Sequence, residues 1–428
     1  MLSKIKQEIS QSKTFLQFGL LNALGKSFGI FIPFIIAVFF SPAVLGQYYL
    51  TKAVLFFFTT LLLSYIQTPF VVMAGQEREK TGKINKSFTA QLILYIFSLT
   101  LFFLIATFAG NIIADFAKIS LYELLFAAMA FIGFALKTFI CDLFLAADQR
   151  LRNALAEFSF GIIVLACVIV FCLIGIINLQ TIFLSYFIAG LLVFGTFMAG
   201  VNFTLLMPLL FDKKHFWEIL TFAKWIFVGG TAAYFLNWGN DNIVLRYNTH
   251  VDNIGIYNLG CDIYRGMTML IFIIYLYYLP FVSSKIKSSS AIANYLQHKR
   301  PRIFLLGFTV IFIIFVISPY AFQKAYGGVY DDSVRVLRIL LIASGLALYN
   351  IFYEVIFNAL KKYRFTQTIN VLHVLISLIL NIILVPIMGI TGTAVSAVIC
   401  YLLRVITYEI YFRAYIKPVL LANLTVII

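Results

Sequence analysis

Five cationic side chains lie within long apolar stretches of the sequence, where each ionised group requires an explanation. They are Lys26, Lys137, Lys224, Arg265 and Arg404, and five acidic side chains share these stretches: Asp142, Asp241, Asp262, Glu354 and Glu409. Placing one charge at the centre of a bilayer costs at least about 2.5–3.5 kcal/mol on insertion scales, so such residues are retained for ion pairing or for binding a charged ligand. The equal numbers of cations and acids are compatible with structural pairs and with a site for an anion.

The first apolar stretch carries a polar face. Asn22, Lys26, Gly29 and Pro33 follow one another at helical spacing and so share one side of a helix. Pro33 leaves the Gly29 carbonyl without an amide partner, which favours a bend there. A packing seam of Gly25 and Gly29, with Lys26 paired to an acid, is the alternative. We favour a cavity wall, because a lysine, an asparagine and a proline on one side suit water better than lipid; Asn22 and Lys26 would then bind ligand and Gly29 and Pro33 form a hinge.

Two later stretches carry a second group of polar residues. Lys224, Trp238 and Asp241 fall along one side of the seventh stretch, and the eighth contains Asp262 and Arg265, three residues apart. That spacing allows an ion pair within one helix. A structural pair and a role in ligand binding are equally compatible with the sequence.

Lys137 and Arg404 complete the predicted binding site. Arg404 is in helical register with Tyr401 and Tyr408, an arrangement that can stack on a sugar or shield a buried cation. The sequence contains no Gly-rich phosphate loop, no metal-ligand spacing and no paired carboxylates in an external loop. We therefore predict no catalytic residue, no cofactor and no metal site, and a transporter rather than an enzyme.

The composition explains which elements must hold these residues. The chain is 62% hydrophobic and only 11% charged, with a mean hydropathy of +0.98. A soluble domain contains about a quarter charged residues, so this composition excludes an ordinary water-exposed surface. It predicts an all-α polytopic membrane protein.

Apolar windows of about 20 residues predict twelve spans, at 14–40, 47–73, 88–110, 119–145, 154–177, 180–206, 218–245, 254–282, 303–322, 334–359, 366–387 and 390–416. An interfacial segment, 1–13, precedes them and a tail, 417–428, follows. Cations concentrate in the even-numbered gaps, for example Arg150 and Arg152. The positive-inside rule then places both termini in the cytoplasm. The net charge of +15 is thus a topology signal and a contact for anionic lipids, with no need of a nucleic-acid partner.

The sequence also repeats itself at an offset of about half its length. Leu45-Gly46-Gln47-Tyr48 matches Ile254-Gly255-Ile256-Tyr257, Pro69-Phe70-Val71 matches Pro280-Phe281-Val282, and Gly175 matches Gly389. Ala147, followed by Arg150 and Arg152, matches Ala359, followed by Lys362 and Arg364. We predict two six-helix lobes, 14–206 and 218–416, joined by a cytoplasmic linker at 207–217. Because six spans is an even number, the lobes should be related by a pseudo-twofold axis along the membrane normal.

These motifs resemble the MOP superfamily of multidrug, oligosaccharidyl-lipid and polysaccharide exporters, and within it the Wzx-type flippases. The resemblance rests on Ser41-Pro42 with the motif at 45–48, on Asp241 with Ile243, on the motif at 254–257, and above all on residues 380–394, Leu-Asn-Ile-Ile-Leu-Val-Pro-Ile-Met-Gly-Ile-Thr-Gly-Thr-Ala. Thr393 stands where the family usually has alanine. The resemblance implies a MATE-like V of two lobes with spans 1, 2, 7 and 8 lining a cavity; it does not require spans 4 and 12 to line it.

The resemblance further implies a function and partners. It predicts a flippase that moves undecaprenyl-diphosphate-linked oligosaccharide, such as an O-antigen repeat unit, from the cytoplasmic to the outer leaflet of a bacterial inner membrane by alternating access. It implies contacts with membrane lipids and with the polysaccharide polymerase and chain-length regulator of lipopolysaccharide biosynthesis. A MATE-type antiporter of drugs or cations is the first alternative, and it requires a net acidic cavity. A membrane glycan polymerase or ligase is the second, and it requires a large external loop.

Overall fold

A computed structural model of the 428-residue chain describes residues 20–21, 24–25, 27–284, 300–360, 362–416 and 418. Every regular element in these ranges is a helix. The chain divides into two compact units, Met1–Tyr234 and Phe235–Ile428. The predicted all-α fold class is confirmed.

The first unit contains nine described helices, interrupted once by a π-helical turn at Thr60–Ser64. They are α1 Ser27–Ile36, α2 Pro42–Thr59, α3 Tyr65–Thr81, α4 Asn85–Ala117, α5 Leu121–Ala146, α6 Arg150–Leu173, α7 Leu179–Met198, the short α8 Phe203–Leu206, and α9 Lys213–Tyr234. α2, the π-helical turn and α3 form one continuous rod.

The second unit begins with a π-helical turn, Phe235–Gly239, that continues α9 into the next helix. Its helices are α10 Asn240–Asn248, α11 Val251–Ser284, α12 Arg300–Tyr326, α13 Asp331–Ala359, α14 Tyr363–Met388 and α15 Ile390–Tyr411, which ends in a π-helical turn at Phe412–Ile416. Ten of the described helical rods are long and apolar enough to cross a membrane. With α1 and the 34-residue α11 they occupy the positions of the twelve predicted spans.

Several helices extend beyond their predicted spans. α4 spans Asn85–Ala117, whereas the apolar window covered 88–110. Its C-terminal end is set by Lys118, which adopts a left-handed conformation, and α3 ends in the same way at Gly82. Caps of this kind end a helix whatever its hydropathy, so an apolar window does not find them. α7 ends at Met198, before the predicted limit of 206.

The predicted linker 207–217 lies along the beginning of α4. The Asn85 side-chain amide donates to the Pro208 carbonyl at 3.0 Å, and the Lys86 ammonium pairs with Asp212 at 2.8 Å. The hydrogen bond from Lys86 lowers the pKa of Asp212 to about 2. The linker is thus attached to the first unit, and α9 also belongs to that unit by its contacts. The lobe limits 14–206 and 218–416 stay a prediction.

The repeat is visible in the backbone. Gly175, between α6 and α7, has a φ of 74°, and Gly389, between α14 and α15, has a φ of 60°. Positive φ values of this kind are accessible to glycine at little cost. The paired glycines found in the sequence therefore occupy matching turns of the two units.

α5 and α7 cross at two glycines with their backbones in contact. A Cβ atom added at Gly190 would overlap the backbone of Gly133, and one added at Gly133 would overlap the backbone of Tyr186 and Phe187. Small residues at a crossing allow close helix packing within a membrane. The core of the first unit depends on this contact.

Candidate functional site

Arg265, one of the five cations predicted to lie within the membrane spans, is buried. It lies on α11, is 9% exposed, and its Nη1 pairs with Asp262 at 2.8 Å. Its Nη2 donates to the Asn258 side-chain oxygen at 3.0 Å. The ion pair that the three-residue spacing allowed is therefore present.

The π-helical turn before α10 holds the other side of the Arg265 guanidinium. The guanidinium carbon lies 3.6 Å from the Trp238 ring centroid, and the Asn237 carbonyl accepts from Nε at 3.3 Å and from Nη2 at 3.1 Å. With the bonds to Asp262 and Asn258, most of the guanidinium N–H groups are engaged. Trp238, Asp262 and Arg265, predicted from separate stretches, form one network.

The same turn changes the register of the seventh span. A π-helical turn adds residues relative to the α-helical period, and here it occupies Phe235–Gly239. The α-helical spacing that aligned Lys224 with Trp238 and Asp241 therefore does not hold across it. Lys224 is exposed on α9, and it belongs to the first unit.

Asp241 occupies a separate polar cluster in the second unit. It accepts from the Tyr257 hydroxyl at 2.5 Å and from the Asn381 side-chain amide at 2.9 Å. These bonds connect α10, α11 and α14. Both donors are neutral, and they provide a half-buried carboxylate with hydrogen bonds.

Arg404 forms an ion pair between helices. Its guanidinium binds Glu354 of α13, donates to the Asn370 side-chain oxygen of α14 at 2.9 Å, and donates to the Tyr408 hydroxyl at 3.0 Å. The Arg404 and Glu354 side chains are only 11% and 19% exposed. In this structure Arg404 connects three helices of the second unit.

Lys137 is likewise engaged within the first unit. Its ammonium donates to both carboxylate oxygens of Glu157 on α6, at 2.9 and 3.1 Å. It also lies 5.4 Å from the Phe160 ring centroid. Three embedded cations, Lys137, Arg265 and Arg404, thus each have a carboxylate partner in their own unit.

The predicted residues of the first span are only partly described. Asn22 and Lys26 lie outside the described residues. Gly29 and Pro33 lie in α1, which is helical across both, and a Cβ atom at Gly29 would meet no neighbouring atom within 4 Å. Gly25, by contrast, packs against α6, where a Cβ would lie 2.9 Å from the Glu157 carbonyl oxygen. The hinge stays a prediction.

Lys52 and Glu157 are among the charged residues within the predicted spans that sequence reasoning missed. Lys52 lies inside the predicted span 47–73, and its ammonium is 5.4, 5.8 and 5.8 Å from the ring centroids of Tyr48, Tyr49 and Phe56. Aromatic residues four and three positions before and four after a lysine are a signal that could have found this cluster. Glu157, inside the span 154–177, was another omission.

The described side chains can bind a polar ligand but offer little for a metal. Within the described ranges, no three His, Cys, Asp or Glu side chains are grouped to hold a metal ion. Instead, several charged side chains within the helices form ion pairs, and amide and tyrosine side chains donate or accept further hydrogen bonds around them. Removing one partner of such a pair is costly, because the remaining charge stays enclosed without compensation.

Solved structures of the same fold are known, although no protein-family model and no curated protein matches the sequence. The lipid II flippase MurJ in an inward closed conformation aligns with a TM-score of 0.76 at 14% identity, covering 95% of this chain and 90% of that one. An inward-facing multidrug resistance MATE family transporter of the MOP superfamily aligns with a TM-score of 0.78 at 11% identity, covering 93% and 94%. This chain has their fold.

The MATE multidrug transporter DinF-BH is a further neighbour with a lower alignment score. It aligns with a TM-score of 0.60 at 16% identity, covering 93% of each chain. All three alignments extend over nearly the whole chain. Together with the ten described helices that are long and apolar enough to cross a membrane, they support a polytopic membrane protein.

Proposed function

We propose that this protein is a flippase for undecaprenyl-diphosphate-linked oligosaccharide, such as an O-antigen repeat unit. It would move its cargo from the cytoplasmic to the outer leaflet of a bacterial inner membrane by alternating access, with both termini in the cytoplasm. The observation that carries the proposal is the enclosed Arg265, stacked on Trp238 and surrounded by amides, in a fold shared with a lipid II flippase. The protein would act as a transporter without chemical catalysis.

Moving such a cargo across the bilayer requires a polar surface within the membrane. A diphosphate and sugar hydroxyls cannot cross hydrocarbon, because removing their water is prohibitive. Guanidinium groups bind phosphate oxygens through directed N–H donors, and a tryptophan can stack on a sugar. An inside-negative potential also favours outward movement of negative charge, by about 2.3 kcal/mol per charge per 100 mV.

In this proposal Asp262 positions Arg265 for the cargo. The Asp262 carboxylate binds Nη1, whereas the Asn237 and Asn258 oxygens hold Nε and Nη2. A phosphate oxygen would accept from the second N–H group of Nη1 while Asp262 stays bound, so that neither the guanidinium nor the enclosed carboxylate loses its partner. The first unit offers its own proposed cargo-binding cations, Lys26, Lys52 and Lys224, of which Lys224 lies exposed on α9.

The Arg265→Gln variant tests this assignment. We expect surface glycan to fall at least about tenfold and lipid-linked repeat units to accumulate on the inner leaflet, with the protein still inserted in the membrane, because a guanidinium–phosphate contact of about 1.5–3 kcal/mol is lost. Lys224→Ala and Lys26→Ala should reduce export as well. Surface glycan is measured by gel staining, and the lipid-linked intermediate by extraction.

A double variant separates cargo binding from a structural role. Asp262→Asn combined with Arg265→Gln removes both charges and leaves no unpaired group. If Arg265 binds cargo, export stays low in the double variant; recovered export would show that the pair only stabilises the fold and would refute the assignment.

Membrane lipids, a polysaccharide polymerase and a chain-length regulator are the proposed partners. Cations such as Arg150 and Lys213 lie at helix beginnings that the predicted topology places on the cytoplasmic side. They suit contact with anionic lipid. The polymerase and regulator follow from the proposed pathway alone.

A multidrug or cation antiporter is a second candidate, because the alignment with the MATE transporter covers as much of the chain as that with MurJ. The half-buried carboxylate of Asp241 is the feature that favours it. Overexpression that raises resistance to cationic drugs, with surface glycan unchanged after deletion of the gene, would favour the antiporter over the flippase.

A further inference from the structure

Asp142 is an enclosed carboxylate held by neutral donors. It lies on α5 and is 0% exposed. Its Oδ1 accepts from the Gln67 side-chain amide at 2.7 Å, and its Oδ2 accepts from the Tyr95 hydroxyl at 3.0 Å. Both carboxylate oxygens therefore have a partner, and neither partner is a cation.

The cation on the same helix is committed elsewhere. Lys137 precedes Asp142 by five residues on α5, and its ammonium donates to both oxygens of Glu157. In the described ranges, no lysine, arginine or histidine nitrogen forms an ion pair with Asp142. An ionised Asp142 thus has hydrogen bonds from neutral groups and no direct ion pair in the described ranges.

The repeat provides an internal comparison. Asp142 stands five residues before Ala147, and Glu354 stands five residues before the matching Ala359. Glu354 is paired with Arg404, a permanent cation on α15. The same position therefore carries a carboxylate in both units, with a guanidinium partner in the second unit and neutral partners in the first.

We infer that Asp142 is a reversible proton-binding site within the first unit. A neutral carboxyl group loses much less hydration free energy than a carboxylate when it is enclosed among helices. The carboxylate takes a proton from hydronium and returns it to water; one O–H bond forms or breaks, and no electron is transferred. At Glu354 the fixed charge of Arg404 removes the need for that proton.

The proton site is connected to a helix with an interrupted hydrogen-bond ladder. Gln67 lies on α3, between the π-helical turn Thr60–Ser64 and Pro69, which offers no N–H group to the helix. The ionised carboxylate accepts from the Gln67 amide, whereas the protonated group must donate to one of its two partners. Protonation therefore reverses a hydrogen bond between α5 and either α3 or α4.

Other titratable groups near the site belong to the same bundle. Tyr65 of α3 lies within hydrogen-bond distance of Ser98 on α4, Cys141 adjoins Asp142 on α5, and Glu157 faces them from α6 with Lys137. Gln67 is partly exposed and offers a route for the proton. The use of this proton to drive transport rests on the proposed function, whereas the proton site itself does not.

Infrared difference spectroscopy of the full-length protein in lipid, without cargo, tests the site. Between alkaline and acidic buffer the wild-type protein should gain the C=O stretch of a protonated carboxyl group, and Asp142→Asn should lose that band. Glu354→Gln is the matched control from the second unit and should retain it. Tyr95→Phe should shift the frequency of the band, because a hydrogen bond to the group is removed.

The outcomes separate this inference from the flippase assignment. The proton site would be refuted if the C=O band persisted in Asp142→Asn. It would also be refuted if the carboxyl bands of the wild-type protein did not change with pH. If Asp142→Asn does not fold, an unchanged band in Tyr95→Phe refutes it equally. The spectroscopy uses no lipid-linked glycan, so its result is independent of the export phenotype of the Arg265 variants.

Discussion

The Arg404→Met variant is expected to lose about 3–5 kcal/mol of stability, because it leaves the Glu354 carboxylate enclosed without its cation. Arg404 also holds Asn370 and Tyr408, so α13, α14 and α15 lose a common partner. The yield of monodisperse protein in detergent and its melting temperature should both fall. Size-exclusion chromatography after heating measures both.

A double variant provides the control for this effect. Arg404→Met with Glu354→Met replaces the ion pair by apolar side chains and should regain most of the lost stability, since apolar replacement of a whole buried pair is often neutral or better. If the single variant is as stable as the wild-type protein, the pair contributes nothing to the fold. Retained glycan export in the stable double variant would remove Arg404 from the binding site predicted from the sequence.

The Gly190→Ala variant is expected to destabilise the first unit strongly. The added methyl group would overlap the Gly133 backbone, and backbone atoms of a helix cannot move aside as a flexible side chain can. Overpacking of a well-packed core typically costs about 1–3 kcal/mol, and we expect the upper end of that range because α5 and α7 must separate along the crossing. Thermal stability in detergent is the measurement, with protease sensitivity as an independent readout.

Gly195→Ala on the same helix is the matched control. A Cβ atom at Gly195 would meet no neighbouring atom within 4 Å. Alanine is favoured over glycine in a helix by about 1 kcal/mol, so this variant should be neutral or slightly more stable. Equal behaviour of the two variants would contradict the close crossing of α5 and α7.

Structural features that depend only on residues close together in the sequence could be predicted. Apolar windows located the helices, and the turns at Gly175 and Gly389 followed from the repeat. The Asp262–Arg265 pair was available from spacing because both residues lie on one helix, where three positions place side chains side by side.

Contacts between different helices could not be predicted from the sequence. The pairs Lys137–Glu157 and Arg404–Glu354 depend on how two helices rotate about their own axes, and hydropathy does not determine that rotation in a chain that is apolar on most sides. The π-helical turn at Phe235–Gly239 carried no recognisable sequence signal. The prediction therefore assumed regular α-helical spacing throughout the seventh span. That is why Lys224 was grouped with Trp238.

The packing of α9 has a consequence for biosynthesis. Tyr234, its last residue, donates to the Ala53 carbonyl of α2 at 3.1 Å, and the Phe227 ring lies edge-on to the Tyr65 ring of α3. Ribosomal synthesis must therefore continue through the whole of α9 before the earlier helices meet their last neighbour. A gene split at residue 206 should therefore assemble poorly, because α9 would be inserted separately from the helices it contacts and would have to find them in the bilayer.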